Sequence, residues 1–146
     1  MKTINNFSGR YDYLSNFYYA TFVLNGITWP TVEHYFQAMK TFDINEIEHI
    51  RSLATPGKAK REGNRVHLRT DWEDVKRNIM EEAVSAKFEQ NQDLMSKLLG
   101  TGSVHIVEGN KWHDNTWGHC ICDRCTNIPG KNHLGNILMY IRLNNQ

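Results

Sequence analysis

An acidic residue lies near the start of a predicted helix in the stretch TWPTVEHYFQAMK, residues 28–40. Glu33 is the second residue of this helix, where unpaired backbone N–H groups and the helix dipole stabilise an ionised carboxylate. Burial beside Trp29 and Tyr35 would act in the opposite direction and favour the neutral acid. Glu33 is therefore a candidate for exchanging a proton or for opposing a developing cation. The alternative is that it only stabilises its own helix.

A second carboxylate lies between two tryptophans in the sequence WHDNTWG. Flat aromatic walls around Asp114, provided by Trp112 and Trp117, would suit a nucleobase or a positively charged sugar. The alternative is an Asx-turn, in which the carboxylate holds its own backbone beside two core tryptophans.

Two shorter motifs contain polar residues that could contact the same kind of ligand. In LRTDW, Arg69 and Trp72 lie near the start of another predicted helix, a position that suits phosphate. The same residues also fit a capped helix with a surface arginine. Asn16 in YLSNF could hydrogen-bond a sugar or a base edge, or could occupy a turn.

All three cysteines fall in the motif HCICDRC, as Cys120, Cys122 and Cys125, with His119 beside them and with His113 and His133 nearby. Three thiolates and one imidazole would complete a tetrahedral zinc site. However, only Cys122 and Cys125 have the two-residue spacing of a zinc knuckle, and the sequence has no second pair. We therefore expect no bound metal and treat the three cysteines with His119 as a weak candidate site. A small zinc-dependent interaction domain stays open as one further function.

Helices with recognisable caps are predicted to position most of these residues. Asn25-Gly26 predicts a hairpin between two short strands, and Thr31 is the predicted N-cap of a helix over residues 32–41. Glu33, Gln37 and Lys40 should share the polar face of that helix. Apolar periodicity predicts further helices, with caps at Asp43, Thr55 and Asp71 and inward side chains at Ile44, Ile47, Ile50, Val75, Ile79, Ala83, Ala86, Leu134, Ile137, Leu138 and Ile141.

The segment NKWHDNTWGHCICDRCTNIPGK has no amphipathic period. It lies between a predicted strand, SVHIVEG, and the last predicted helix, NHLGNILMYIRL. Loops of this length in compact domains are usually functional or disordered, and two tryptophans argue against disorder. The whole pattern predicts one α+β domain over residues 1–146, predominantly helical with a small antiparallel β component.

Composition excludes several classes of protein. The 146 residues suit one ordinary domain, and 17 basic against 16 acidic residues give a net charge of +1, too low for a general nucleic-acid coat or a membrane-surface protein. The sequence shows no signal peptide and no run long enough to cross a bilayer. An odd number of clustered cysteines is untypical of a secreted disulfide framework. We expect a cytoplasmic protein without membrane contact, of unspecified oligomeric state.

Several motifs together resemble the YbiA-like family, also called NADAR. They are YLSNF, WPTVEHYFQAMK, TPGKAKREGNRV, LRTDW, MEEAVSAKFEQN, LLGTG, DNTWG and GKNHLGNILMYIR, in the family's order and approximate spacing. The resemblance covers nearly the whole chain. It implies a mainly helical α+β fold and hydrolysis of N-glycosidic bonds, with no cofactor. The family's substrates are phosphorylated ribosylamino-pyrimidine intermediates of riboflavin synthesis and ADP-ribose attached to a base, notably guanine in DNA.

Carried over by position, the resemblance implies that Glu33 and Asp114 lie in the catalytic pocket, with Trp72 and Trp117 as its walls. Weaker binding candidates are the polar residues at the family's other motif positions: Asn16, Arg69, Lys87 and Asn132. The sequence departs from the family where a short glycine-rich turn often follows WG, because HCICDRCTNIP intervenes here before GKN.

The chemistry of such a bond fits two carboxylates. Cleavage of a C–N glycosidic bond develops positive charge on the ribose, so one carboxylate can oppose that charge while another activates water. Basic residues concentrated in GKAKREGNRVHLR favour an ADP-ribosylated base as substrate, with a transient DNA contact. The same residues also fit a solvated helix face. The alternative substrate is a ribosylamino-pyrimidine phosphate. An alternative of another class is a module that binds ADP-ribose or a nucleotide without cleaving it.

Overall fold

The computed structural model describes residues 2–146 and is mainly helical. Its six α-helices are α1 (Val32–Ala38), α2 (Ile44–Arg51), α3 (Pro56–Gly63), α4 (Trp72–Glu89), α5 (Gln92–Gly100) and α6 (His133–Asn144). Its strands are β1 (Thr3–Ile4), β2 (Phe22–Leu24), β3 (Ile27–Trp29), β4 (His105–Ile106), β5 (Gly109–Asn110) and β6 (His119–Cys120), and 3-10 helices cover Gly9–Leu14 and Asp123–Cys125. Within residues 2–146, no helix combines the length and apolar character that a membrane span requires. The predicted α+β class is confirmed.

Backbone proximity groups the chain into two compact units. The first, called here the α1–α4 unit, comprises Asn16–Asn91. The second, the α5–α6 unit, comprises the segment up to Ser15 together with Gln92–Gln146. The single domain over residues 1–146 stays a prediction.

The predicted hairpin opens the α1–α4 unit. Strands β2 and β3 pair antiparallel, with Phe22 opposite Trp29, and their two-residue turn has φ of 52° at Asn25 and 77° at Gly26. Positive φ at both positions is what a type I′ turn requires, and Asn-Gly supplies it at little steric cost. The hairpin was readable from sequence because the turn alone fixes the register.

Helix α1 begins as predicted but is buried on every side. The Thr31 hydroxyl oxygen accepts a hydrogen bond from the backbone N–H of His34 at 3.1 Å, which confirms the N-cap. All residues from Val32 to Ala38 are buried, because α1 packs against α2, α3 and α4. The predicted polar face of Glu33 and Gln37 is therefore inside the unit, where it costs more to leave polar atoms unpaired.

Side-chain burial differs from prediction in two neighbouring helices. Asp43 caps α2 as predicted, but Ile44, its first residue, is 80% exposed, while Ile50 is fully buried. A helix of only two turns packs through its later turn here, so the apolar stripe does not extend to its first residue. In α4, Ala83 and Ala86 are buried as predicted, whereas Val75 and Ile79 are only half-buried.

The α5–α6 unit contains two short parallel strand pairs that the sequence did not indicate. Strand β1 pairs with β4, and β5 pairs with β6. The predicted strand in SVHIVEG is divided between β4 and β5. Helix α6 approaches β4 closely, since a Cβ at Gly135 would overlap the carbonyl oxygen of Ile106. The four predicted inward residues of α6 are all buried.

Candidate functional site

Glu33 is held in the first turn of α1 with its carboxylate oriented by a neighbouring amide. Its backbone N–H donates to the carbonyl oxygen of Asn16 at 3.1 Å. Gln37 Nε2 donates to Glu33 Oε2 at 2.8 Å, and both side chains are more than nine-tenths buried. Gly63 makes room for this amide, because a Cβ there would overlap Gln37 Oε1. Sequence reasoning placed Gln37 on the same face but assigned it no role.

A half-buried lysine lies near this carboxylate and near two aromatic rings. Phe36 and Trp72 have ring centroids 5.0 Å apart, and Lys40 Nζ is 6.0 Å from each ring centroid. Burial lowers the pKa of Lys40, while the negative charge of Glu33 acts in the opposite direction. We call Glu33, Phe36, Gln37, Lys40 and Trp72 the Glu33 cluster. Lys40 is a member that sequence reasoning missed as a site residue; its i+7 spacing from Glu33 was the available signal.

Further positive charge converges on Lys40 from two other helices. The charges of Lys60 on α3 and Lys76 on α4 lower the pKa of Lys40 further, so all three ammonium groups act on one region. Lys76 also forms an ion pair with Glu73 at 2.7 Å. A carboxylate beside several lysines suits a ligand that carries both a developing cation and a phosphate.

Arg69 has a structural partner in this unit. Its Nε and Nη2 donate to the two carboxylate oxygens of Asp71 at 2.6 and 3.0 Å, and its guanidinium carbon lies 4.2 Å from the Phe42 ring centroid. Asp71 is therefore not the side-chain cap of α4 that the sequence predicted, since it makes no side-chain cap hydrogen bond. The guanidinium charge is already offset by a bidentate pair, so Arg69 is a weaker candidate for phosphate than its position in the motif suggests.

The remaining candidates in this unit, Asn16 and Lys87, differ in exposure. Asn16 is half-buried and its Nδ2 lies 3.4 Å from Met80 Sδ, while its carbonyl holds the first turn of α1. Lys87 is 1% exposed, and its Nζ lies 5.6 Å from the Tyr18 ring and 5.2 Å from the Phe88 ring. Lys87 therefore lies in the interior, packed between aromatic rings.

His34, the residue after Glu33, has a structural role. Its Nε2 lies 3.0 Å from the Leu53 carbonyl oxygen, and its Nδ1 lies 2.7 Å from the Thr31 hydroxyl. Because a carbonyl only accepts, Nε2 carries the proton and Nδ1 accepts from Thr31. Burial lowers the pKa of His34, which favours this neutral form. The ring fixes the helix start and is not available as a base.

Asp114 lies in the α5–α6 unit and forms the Asx-turn that was the structural alternative for it. Its Oδ1 accepts hydrogen bonds from the backbone N–H groups of Thr116 at 3.1 Å and Trp117 at 2.9 Å. Asn110, which is buried, donates through Nδ2 to the Asp114 carbonyl at 2.8 Å and accepts from its N–H at 3.1 Å. The carboxylate is thus held rigidly by its loop. Sequence reasoning missed Asn110, whose role depends on the loop folding back on it.

The other two candidates of this unit lie in its interior or at its edge. Trp117 is half-buried and meets His133 edge-on at 5.9 Å between ring centroids. Asn132 is 7% exposed, donates to the Ile106 carbonyl at 2.9 Å and accepts from the Glu108 N–H at 3.0 Å. Its amide therefore connects the start of α6 to the segment after β4, which is a structural use of the group.

The cysteine motif is completed by a different histidine from the one predicted. Cys120, Cys122 and Cys125 gather with His113, and their ligand atoms all lie within 4.8 Å of one another. His119 is not in this group, since its Nδ1 accepts from the Gly130 N–H at 3.0 Å. His119 is adjacent to Cys120 on β6, and neighbours on a strand point to opposite faces. The sequence-based choice of His119 is corrected accordingly.

Comparison with known proteins decides the family. The NADAR domain family matches residues 5–144 of the chain. The chain belongs to the NADAR family. An N-glycosidase YbiA of Shigella boydii is 43% identical over 143 residues, which cover 95% of the present NADAR chain and 86% of that relative.

Two further NADAR relatives bear on fold and function. The NMR structure of YbiA from Escherichia coli superposes with a TM-score of 0.84 at 40% identity, covering 99% of this chain and 86% of that one. A riboflavin biosynthesis protein of Vibrio vulnificus is 33% identical over 139 residues, which cover 91% of this chain and 35% of that longer protein. The relatives named N-glycosidase confirm the predicted class of activity, N-glycosyl hydrolysis.

Proposed function

We propose that this NADAR protein hydrolyses a ribosyl–nitrogen bond with Glu33 and Asp114 as its two catalytic acids. One observation carries the proposal: the nearly buried carboxylate of Glu33 is oriented by Gln37 at 2.8 Å and has lysine charge beside it. A carboxylate held in one direction beside positive charge can oppose a cation that develops at a fixed place.

The reaction assigns a task to each acid. When the C1′–N bond breaks, its electron pair leaves with the base nitrogen and positive charge develops on the ribose ring. One carboxylate opposes that charge, and the other accepts a proton from the water whose oxygen bonds to C1′. The departing base takes up a proton and leaves. The family resemblance assigns these two tasks to Glu33 and Asp114 without deciding between them, and it assigns stacking on the base to Trp72 and Trp117.

The substrate that we infer is ADP-ribose attached to a nucleobase, with guanine in DNA as the first candidate. Lys40 interacts with the charge of Glu33, and Lys60 and Lys76 add positive charge around Lys40, which suits the phosphates of ADP-ribose. Lys58, Lys60 and Arg61 on α3 are exposed, and exposed basic side chains suit the backbone of a nucleic-acid strand.

A second candidate is a ribosylamino-pyrimidine phosphate of riboflavin synthesis. The observation that favours it is the Vibrio vulnificus relative named as a riboflavin biosynthesis protein. Both candidate substrates carry nitrogen on the anomeric carbon of a phosphorylated ribose, so the Glu33 cluster serves either. They differ in the groups outside the ribose.

The test offers the protein both substrates and follows released ADP-ribose and released ribose phosphate. We expect faster release from the ADP-ribosylated guanine strand. Lys60→Gln should raise KM more than Lys58→Gln, a matched change on the same helix, because only Lys60 acts on Lys40. Turnover of the pyrimidine alone would replace the first candidate by the second. Tight ADP-ribose binding with no turnover of either substrate would instead indicate a non-catalytic binding module.

A further inference from the structure

Four potential metal ligands meet in the segment between β5 and α6. His113 Nδ1 lies 3.3 Å from Cys122 Sγ, 3.3 Å from Cys125 Sγ and 3.8 Å from Cys120 Sγ. All distances among these four ligand atoms, including those between the sulfur atoms, are within 4.8 Å. His113 lies between β5 and β6, Cys120 on β6, and Cys125 at the end of the 3-10 helix Asp123–Cys125, which Cys122 directly precedes.

These separations fit the edges of a zinc tetrahedron. Zn–S bonds of about 2.3 Å and Zn–N bonds of about 2.0 Å imply edges of about 3.8 Å between sulfurs and about 3.5 Å between nitrogen and sulfur. The three nitrogen–sulfur distances of 3.3, 3.3 and 3.8 Å lie on both sides of that value. Small adjustments would therefore bring all four atoms to bonding distance of one ion.

The backbone holds the ligands in this arrangement. His113 has φ of 67°, in the left-handed region, which costs a non-glycine residue on the order of 1–3 kcal/mol. The Cys120 N–H donates to Asn115 Oδ1 at 2.9 Å, and the Cys125 N–H donates to the Cys122 carbonyl at 3.1 Å. The last bond closes a short turn between two thiols separated by two residues, as in a zinc knuckle.

We propose that His113, Cys120, Cys122 and Cys125 bind one structural Zn²⁺ ion. Thiolates and imidazole select zinc over magnesium or calcium, which take oxygen ligands. Protein side chains fill all four positions, so no position remains for water or substrate, and the ion holds the fold without taking part in the reaction. Binding releases the protons of the thiols to solvent. This proposal reverses the expectation from spacing alone, which considered His119 as the fourth ligand.

Arg124 must move when the metal binds. Its Nη2 lies 2.6 Å from His113 Nε2, and a guanidinium can only donate. With Nδ1 on the metal, Nε2 carries the ring proton and can no longer accept from Arg124. The arginine side chain is exposed and can rotate into solvent. There it remains near the metal site, where three thiolates and one Zn²⁺ give a net charge of about −1 that attracts the guanidinium.

The ion would cross-link the long segment between β5 and α6 through four metal–ligand bonds. Between β5 and α6 the regular structure consists of the two-residue strand β6 and one short 3-10 helix. Asp114 directly follows the ligand His113, and the ligand Cys120 lies on β6 beside Asn110, which hydrogen-bonds Asp114. A bound ion would therefore fix the frame around Asp114 from two sides.

Metal analysis of the whole protein tests the site without any assay of turnover, so its result is independent of the proposed function. We expect protein grown with zinc and purified under reducing conditions without chelator to carry about one zinc per chain, the stoichiometry of a single closed site. A thiol-reactive organomercurial should release that zinc. Replacing zinc by Co²⁺ should give thiolate-to-cobalt charge-transfer absorption and the visible bands of a tetrahedral site.

Two histidine variants form a matched pair. His113→Asn removes a ligand and should weaken zinc binding at least about tenfold, the loss seen even for outer-shell partners. His119→Asn keeps an acceptor for the Gly130 N–H and should retain the ion. If the Cys120→Ser, Cys122→Ser and Cys125→Ser triple variant does not fold, gain of secondary structure when zinc is added to reduced apo-protein supports the site directly.

Two outcomes overturn the proposal. One is protein that carries no zinc and whose reduced apo form gives no cobalt–thiolate absorption. The other is zinc that both His113→Asn and the triple serine variant retain, which would place the ion at another group such as Asp43, Glu46 and His67.

Discussion

Helix α1 and the segment between β5 and α6 each hold one candidate catalytic carboxylate, but by different means. In α1 the frame is a regular helix whose start is fixed by Thr31 and His34. In the segment, side chains hold the backbone through hydrogen bonds, and Asp114 Oδ1 is one of the acceptors.

In α1, the candidate catalytic carboxylate and the groups that stabilise the backbone are different. In the segment between β5 and α6, one carboxylate does both. The caps of α1 do not use the Glu33 carboxylate, so its charge can be removed with little loss of helix. The Asp114 carboxylate closes its own turn, so removing it disturbs the loop as well as the chemistry. Substitutions of matched shape can measure this contrast.

The largest effect is expected from Glu33→Gln. Removing one charge that opposes a developing cation should cost about 2.7–4 kcal/mol, roughly a hundredfold to thousandfold in kcat. The amide keeps an oxygen that can accept from Gln37, so the thermal unfolding temperature should change little. Steady-state kinetics and thermal unfolding measure the two effects. A variant that hydrolyses substrate at the original rate would return Glu33 to a helix-stabilising role.

An intermediate effect is expected at Asp114, where two variants separate its roles. Asp114→Ala leaves two backbone N–H groups without their acceptor and should lower the free energy of unfolding by about 1.5–3 kcal/mol. Asp114→Asn keeps a neutral oxygen acceptor and should lose roughly half as much, because charge-assisted bonds are about twice as strong. Both should lose activity. Urea unfolding compares them, and equal stability of the two would show that the Asx-turn contributes nothing.

The smallest effect concerns the pH dependence that His34 adds to stability. Burial lowers its pKa from the usual 6.5, so below that pH the unfolded chain binds a proton that the folded protein does not. The stabilising contribution is fully present above about pH 6.5 and is lost as pH falls through the window between the usual and the lowered pKa.

The comparison for this prediction is His34→Gln, which keeps a donor for the Leu53 carbonyl but does not titrate. The difference in urea-unfolding free energy between the original protein and this variant should shrink as pH falls between about 8 and 5. A difference independent of pH would show that His34 does not titrate on unfolding.

Elements specified by neighbouring residues were predictable from the sequence. The Asn25-Gly26 turn, the Thr31 cap and the inward stripe of α6 each depend on groups within a few positions of one another, and all three are confirmed. The parallel pairing of β1 with β4 was not predictable, since a two-residue strand has no pattern and its partner lies about one hundred residues away.

The same limit applies to the candidate residues. Sequence motifs supplied Glu33 and Asp114, but the environment of each depends on chain segments that return to it. Three helices pack on α1 and bury its polar face. The Arg69 guanidinium forms an ion pair with the Asp71 carboxylate.

The sequence by itself determined the family, the local caps and turns, and which residue types could do chemistry, because these are properties of types and short spacings. Only the tertiary structure decided which of those residues meet. It oriented Glu33 through Gln37 and added Lys40, and it gathered His113 instead of His119 with the thiols. The reason is geometric: alternation along β6 turns His119 away from Cys120, whereas a left-handed backbone angle at His113 turns a more distant residue toward it.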